Sequence, residues 1–131
     1  MDKAQLPGLA KLGVDMSIII WNRYCDIFPK LVRSRVPSVR LNNRLKTCGG
    51  RIFTETRECE LSSEMFYYNQ KEYFDIIIPH ELAHQVDWDL FKGSGHRASW
   101  KGVMVAYGIP PDTYHNLINP LHEKRKQARI R

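Results

Sequence analysis

The chain has 131 residues, of which 43% are hydrophobic and 26% charged, and a formal net charge of +6. That length suits one domain with a real core, and the composition excludes a disordered chain and a fibrous repeat. No apolar run approaches the roughly 18 residues that span a bilayer, and Asp2, Lys3 and Lys11 break the start where a signal-peptide core would lie, so a cytoplasmic protein without a membrane partner is expected.

Leu9, Leu12, Met16, Ile19, Ile20, Tyr24 and Ile27 recur at helical spacing between Pro7 and Pro29, which predicts a first helix over about residues 8 to 27 lying across a sheet. Between Val36 and Leu61 the pattern changes to alternation, punctuated by Asn42-Asn43 and Gly49-Gly50. Three short strands in a small antiparallel meander account for it. Asn69 followed by Glu72 reads as a capping box that opens a second long helix, carried by Phe74, Ile77, Ile78, Leu82 and Val86 as far as Phe91. Pro79 lies inside that run, so the helix kinks there or a new one starts. Gly93 and Gly95 then turn the chain into a last helix over about Arg97 to Tyr107. Cys25, Cys48 and Cys59 form no C-x-x-C pair, which argues for buried thiols against a disulfide framework or a zinc ribbon.

Charge is segregated along the chain. Lys30 to Arg57 holds eight bases against the single acid Glu55, and His122 to Arg131 holds five against Glu123. A positive field confined to two segments invites a polyanion such as DNA; its bland alternative is a solvated sheet edge and terminus.

The chemistry concentrates in "PHELAHQVDWDLFKGSGHRASW", Pro79 to Trp100. His80 and His84 are four apart, so on a helix their imidazoles share one face while Glu81 is rotated by about 100°. That is the HExxH pattern, in which two histidines hold zinc and the glutamate serves as general base toward water. A third ligand is needed. Leu90 stands where a metzincin has its third histidine, and Glu123 is the only glutamate after His84, which disfavours a thermolysin-like arrangement. His96, twelve residues after His84 and beyond the Gly93-Ser94-Gly95 turn, is the best candidate, with Trp100 one helical turn further on. Asp87 and Asp89 are read as solvated helix-end charges, with orientation of a ligand imidazole as the alternative.

The run Ile77 to His84, followed by His96 and Trp100 as a later H-x-x-x-W element, resembles the SprT-like zinc metallopeptidases, a family that includes the Spartan proteases acting on proteins crosslinked to DNA. The resemblance covers about residues 10 to 118, with Leu61-Ser62 and Thr113-Tyr114-His115 as weaker points of similarity. It implies a zincin-like α+β fold: a small antiparallel sheet packed against an N-terminal helix and an HExxH helix, with a further helix carrying the third-ligand region. It also implies one metallopeptidase domain over residues 1–120 followed by a basic tail over 121–131, zinc on His80, His84 and His96, Glu81 as catalytic base, and a protein or peptide substrate. Two departures stand out. Arg97 replaces a glycine common in relatives, and no cysteine-rich ribbon follows Cys59, so DNA contacts would fall to Lys30–Arg57 and Lys124–Arg131.

Strand Glu58 to Leu61 is a candidate edge for an extended peptide, and Tyr114, His115 and Arg97 are candidates for stabilising an oxyanion. A reading of another class is a DNA-binding or protein-interaction module that keeps zinc as a structural clip. It needs the three histidines but not Glu81.

Overall fold

A computed structural model describes residues 1–111 and the backbone of residues 114–116 and 127–129. After a 3-10 turn, helix α1 spans Leu6–Ile27, and strands β1 (Ser38–Asn42), β2 (Gly50–Phe53) and β3 (Glu58–Ser62) follow. Helices α2 (Ser63–Tyr68) and α3 (Gln70–Glu72) lead through a π-helical turn, Tyr73–Ile77, into α4 (Ile78–Phe91) and α5 (Ala98–Tyr107). Strands β4 (Tyr114–Asn116) and β5 (Gln127–Arg129) pair antiparallel, so three residues of the stretch read as a tail form a strand. The fold class is α+β, as expected. No helix among the described residues is long and apolar enough to cross a membrane.

Pro7 sits in the first turn of α1, where its missing N–H costs nothing. The buried stripe is Leu9, Gly13, Ser17, Ile20, Trp21, Tyr24 and Cys25. It is rotated from the face predicted by large apolar residues alone, leaving Ile19 47% and Ile27 39% exposed. Small residues set the phase: a Cβ on Gly13 would stand 3.3 Å from Phe66 and 3.5 Å from Leu61 and Val39, so Gly13 lets α1 lie close against the sheet and Phe66.

The sheet is mixed, which corrects the all-antiparallel meander. Its order is β1-β3-β2, with β3 parallel to β1 and antiparallel to β2. The charges show why β3 belongs in the middle. Glu60 is directly opposite Arg40 on one neighbour and Arg51 on the other, and it accepts from Arg40 Nε at 2.9 Å, Arg51 Nε at 2.6 Å and Asn42 Nδ2 at 3.2 Å. An acid only 6% exposed needs such partners on both sides, and only the central position supplies them. Cys59 and Leu61 point to the other face and join the core beneath α1 and α4. The expectation of Glu58–Leu61 as a peptide-binding edge is therefore overturned, since that strand is paired on both sides.

Two further expectations give way. Asn69 does not start the second long helix: α2 begins six residues earlier, where Ser62 Oγ accepts from the Met65 N–H. The Asn69 amide donates back to Met65 O at 2.8 Å rather than forming a capping box. Gly50 is the first residue of β2 rather than part of a turn. The Pro79 problem resolves through the π turn, in which the Ile78 N–H bonds to Tyr73 O. The proline then falls in the first turn of α4, where no N–H is required of it.

Candidate metal centre

Helix α4 enters the core with its N-terminal half. Ile78, Leu82, Ala83 and Val86 are 0% exposed, and Tyr24 Oη donates to Pro79 O at 2.7 Å, pinning the turn that carries the histidines to α1. His80 and His84 share one face of this helix, 0% and 8% exposed. After Phe91, Lys92 adopts left-handed backbone with its N–H on Asp87 O and Trp88 O. Gly95 (φ 69°) completes the reversal, and His96 returns over the pair from the turn before α5 rather than from the helix itself.

The three histidines expected as ligands are brought together. One ligand atom from each lies within 4.8 Å of the others, and the group can hold a metal ion. His80 Nε2 and His96 Nε2 are 3.3 Å apart. Trp100, 0% exposed, closes the inner side: its ring lies 4.7, 5.1 and 4.6 Å from those of His80, His84 and His96, stacked on His84 at 15°. Its indole N–H points to His80 O at 3.4 Å.

Glu81 is fully buried, with Oε2 4.0 Å from His80 Nε2. It lines a cavity of about 700 Å³ together with His84, His96, Thr47, Cys48, Ile52 and Thr54. Gly50 lies beside it, and a Cβ there would crowd Glu60 O at 3.0 Å and Leu61 at 3.3 Å while only touching Glu81 Cγ at 3.4 Å. Burial, and then the negative charge of Glu81, pushes the Cys59 thiol well above its ordinary pKa. Tyr73 is raised well above its ordinary value by burial first, then by Cys48 and Glu81. It donates its hydroxyl to Gly49 O at 2.7 Å. The floor under Glu81 is thus neutral. All three cysteines are buried thiols.

The structure separates the remaining candidates. Arg97 is exposed and absent from the cavity wall among the described residues, and the side chains of Tyr114 and His115 lie outside the described residues. Neither aspartate is a solvated helix-end charge. Asp89 receives Arg57 Nη1 at 2.7 Å, Arg57 Nη2 at 2.9 Å and Gln85 Nε2 at 3.0 Å, and Asp87 is 0% exposed. Sequence reasoning missed the wall opposite the histidines, formed by Thr47, Cys48, Ile52 and Thr54, with Gly50 next to it. A glycine opening a strand was its only signal.

Five of the eight bases in Lys30–Arg57 are taken up by ion pairs: Arg33 with Asp26, Arg40 with Glu58 and Glu60, Lys46 with Glu64, Arg51 with Glu60, and Arg57 with Asp89. Among the described residues Lys30, Arg35 and Arg44 form no such pair. Lys124, Arg125, Lys126 and Arg131 lie outside the described residues.

An α+β domain that presents HExxH on a buried helix and a third histidine from the following turn has the arrangement of a protein that could hold a metal ion. The model of the SprT-like family matches residues 22–115, and the chain belongs to that family. It is similar to Protein SprT of Klebsiella pneumoniae subsp. pneumoniae, 31% identical over 88 residues, covering 66% of this chain and 53% of that protein. Protein SprT of Vibrio parahaemolyticus is 29% identical over 82 residues, covering 61% and 49%, and that of Escherichia fergusonii 27% over 99 residues, covering 73% and 59%. The chain thus spans about half the length of the curated relatives it matches. No solved structure matches it.

Proposed function

We propose that this chain is a zinc metallopeptidase that hydrolyses peptide bonds with Glu81 as general base. The observation that carries this reading is the convergence of three imidazoles beside a buried carboxylate that opens on a cavity. Zinc with Zn–N distances of about 2.0–2.1 Å and tetrahedral angles sets two ligand nitrogens about 3.3 Å apart, which fits the 3.3 Å between His80 Nε2 and His96 Nε2. Three imidazoles suit zinc, as they suit copper, iron and nickel. His80, His84 and His96 would hold the ion beside the cavity that His84 and His96 line. Zinc held there supplies Lewis-acid chemistry, polarising a carbonyl and acidifying water.

The chain's own residues do the rest. The Glu81 carboxylate accepts a proton from the attacking water and returns it to the leaving amine. Trp100 shuts the inner side, so among the described residues the open approach is through the cavity. Strand β2 is a sheet edge on that cavity wall, through Ile52, and Thr54 follows directly after it. It is the place where an extended peptide adds by main-chain bonding, in place of the central strand first considered. Substrates carried on DNA are part of the proposal, through Lys30, Arg35 and Arg44 and the bases beyond Glu123.

The test is Glu81→Gln at equal zinc content, assayed on a flexible basic protein with and without DNA. The amide keeps the shape but accepts no proton, so the rate falls by about a hundredfold to ten-thousandfold while the metal is retained. Equal cleavage by both proteins refutes the assignment of Glu81. Zinc binding without cleavage by the wild type under any DNA condition favours the structural-zinc module.

A further inference from the structure

The geometry points to Asp87 as the positioning residue that, with Gly93, holds the loop presenting His96 to the metal; this rests on the zinc reading above. Asp87 follows His84 by three residues and His80 by seven, so it lies on their face of α4. It is 0% exposed, and neither carboxylate oxygen accepts a hydrogen bond among the described residues. A carboxylate in that setting destabilises the fold, and a small apolar residue would sit there at lower cost. Asp89, two residues on, has Arg57 and Gln85; Asp87 has neither.

What Asp87 does have is the loop. A Cβ on Gly93 would fall 2.0 Å from Asp87 Oδ2, 2.5 Å from Cγ and 2.6 Å from Oδ1. Gly93 does not have the positive φ of Gly95, so its requirement is for space rather than for backbone freedom. The two glycines of this loop therefore serve different ends: Gly95 makes the turn in open surroundings, and Gly93 lies flat on the carboxylate. The Gly93 N–H also bonds to Asp87 O at 3.3 Å. Among the described residues no other hydrogen bond holds Ser94 or Gly95, and His96 follows directly. The path of the loop that delivers His96 is set where Gly93 meets Asp87, while the imidazole itself then packs on Trp100.

A group kept for positioning rather than stability leaves a signature of opposite signs. Asp87→Ala should leave the metal-free protein as stable as wild type or more so, because a buried carboxylate is gone. Zinc affinity, measured on the full chain by competition with a fluorescent chelator, should weaken by about 10- to 100-fold, as for loss of an outer-shell partner. Gly93→Ala should weaken zinc binding similarly, yet add no further loss in the Asp87→Ala background, where the clash has been removed. Wild-type zinc affinity in Asp87→Ala, or a loss that only parallels a loss of metal-free stability, overturns the inference. Should Asp87→Ala not fold, Gly93→Ala decides alone, and near-wild-type affinity there overturns it. Failure of the wild type to bind zinc sinks the metal-site reading as well, a result distinct from equal binding by wild type and variants.

Discussion

Trp100 separates the packing of the site from its polar contacts. Replacing it by alanine removes a fully buried indole from ring contacts of 4.6 to 5.1 Å with all three histidines. Large-to-small changes at buried aromatic residues cost about 3–5 kcal/mol, against a total of about 5–15 kcal/mol for a domain. The indole hydrogen bond to His80 O is long at 3.4 Å, so its share is at the low end, about 0.5 kcal/mol. Packing therefore dominates, and Trp100→Phe should lose only about 1–2 kcal/mol. Urea unfolding in a chelator reads the packing term, and the added stability in zinc reads what the wall contributes to the metal. The phenylalanine variant should keep zinc affinity within about threefold and the alanine variant should lose tenfold or more, as for outer-shell partners. An alanine variant that costs under about 1 kcal/mol, or a phenylalanine variant as damaged as alanine, refutes the reasoning.

Three other perturbations have defined outcomes. Burial raises the Glu60 pKa, but hydrogen bonds from Arg40, Arg51 and Asn42 outweigh it and hold the carboxyl at about 2. Because that lies below the unfolded value, the stabilisation is present above about pH 4.5 and lost as pH falls toward 2. It is worth on the order of 2 kcal/mol after discounting for the exposed Arg40. Thermal unfolding from pH 7 to 2 should show this loss in wild type and much less in Glu60→Gln; parallel curves contradict it. Asp89→Ala leaves the Arg57 guanidinium, only 17% exposed, without its counter-ion, with only Arg35 O among the described residues still accepting from it, and should cost about 2–3 kcal/mol in denaturant titrations while zinc affinity is unchanged, the reverse of Asp87. For DNA, a Lys30→Ala, Arg35→Ala, Arg44→Ala triple variant should lower the salt slope of binding by about 3, whereas Arg51→Ala, already paired with Glu60, should barely change it.

Much of the centre was legible because it is local. His80, Glu81 and His84 lie on one helix, and His96 is within reach of a short turn, so spacing alone selected all three histidines. Glycine misled where its reason was contact. Gly13, Gly50 and Gly93 are small because Phe66, Glu60 O and Asp87 come close to them, facts that belong to the tertiary structure. Sheet order was illegible for a related reason. Alternation gives strands but not neighbours, and the row Arg40, Glu60, Arg51 shows its meaning only once the strands are paired. The excess of bases in Lys30–Arg57 likewise proved to be largely ion pairing with acids elsewhere, Asp26, Glu64 and Asp89 among them.

Helix α4 gives three acids three environments, and helical rotation explains the difference. At about 100° per residue with His80 at zero, His84 falls at about 40°, Asp87 at about −20°, Glu81 at about 100° and Asp89 at about 180°. Asp89 is thus on the far side of the helix from the histidines, where Arg57 reaches it from the turn after β2. Glu81 stands beside the histidine face and looks into the cavity between β2 and the Gly93–His96 turn. Asp87 shares the histidine face but lies a turn further along, under the loop instead of in the cavity. Moving any of these acids by one position turns it by about 100° and exchanges its surroundings. The spacing of Glu81, Asp87 and Asp89 is therefore as much a part of the centre as the spacing of the histidines.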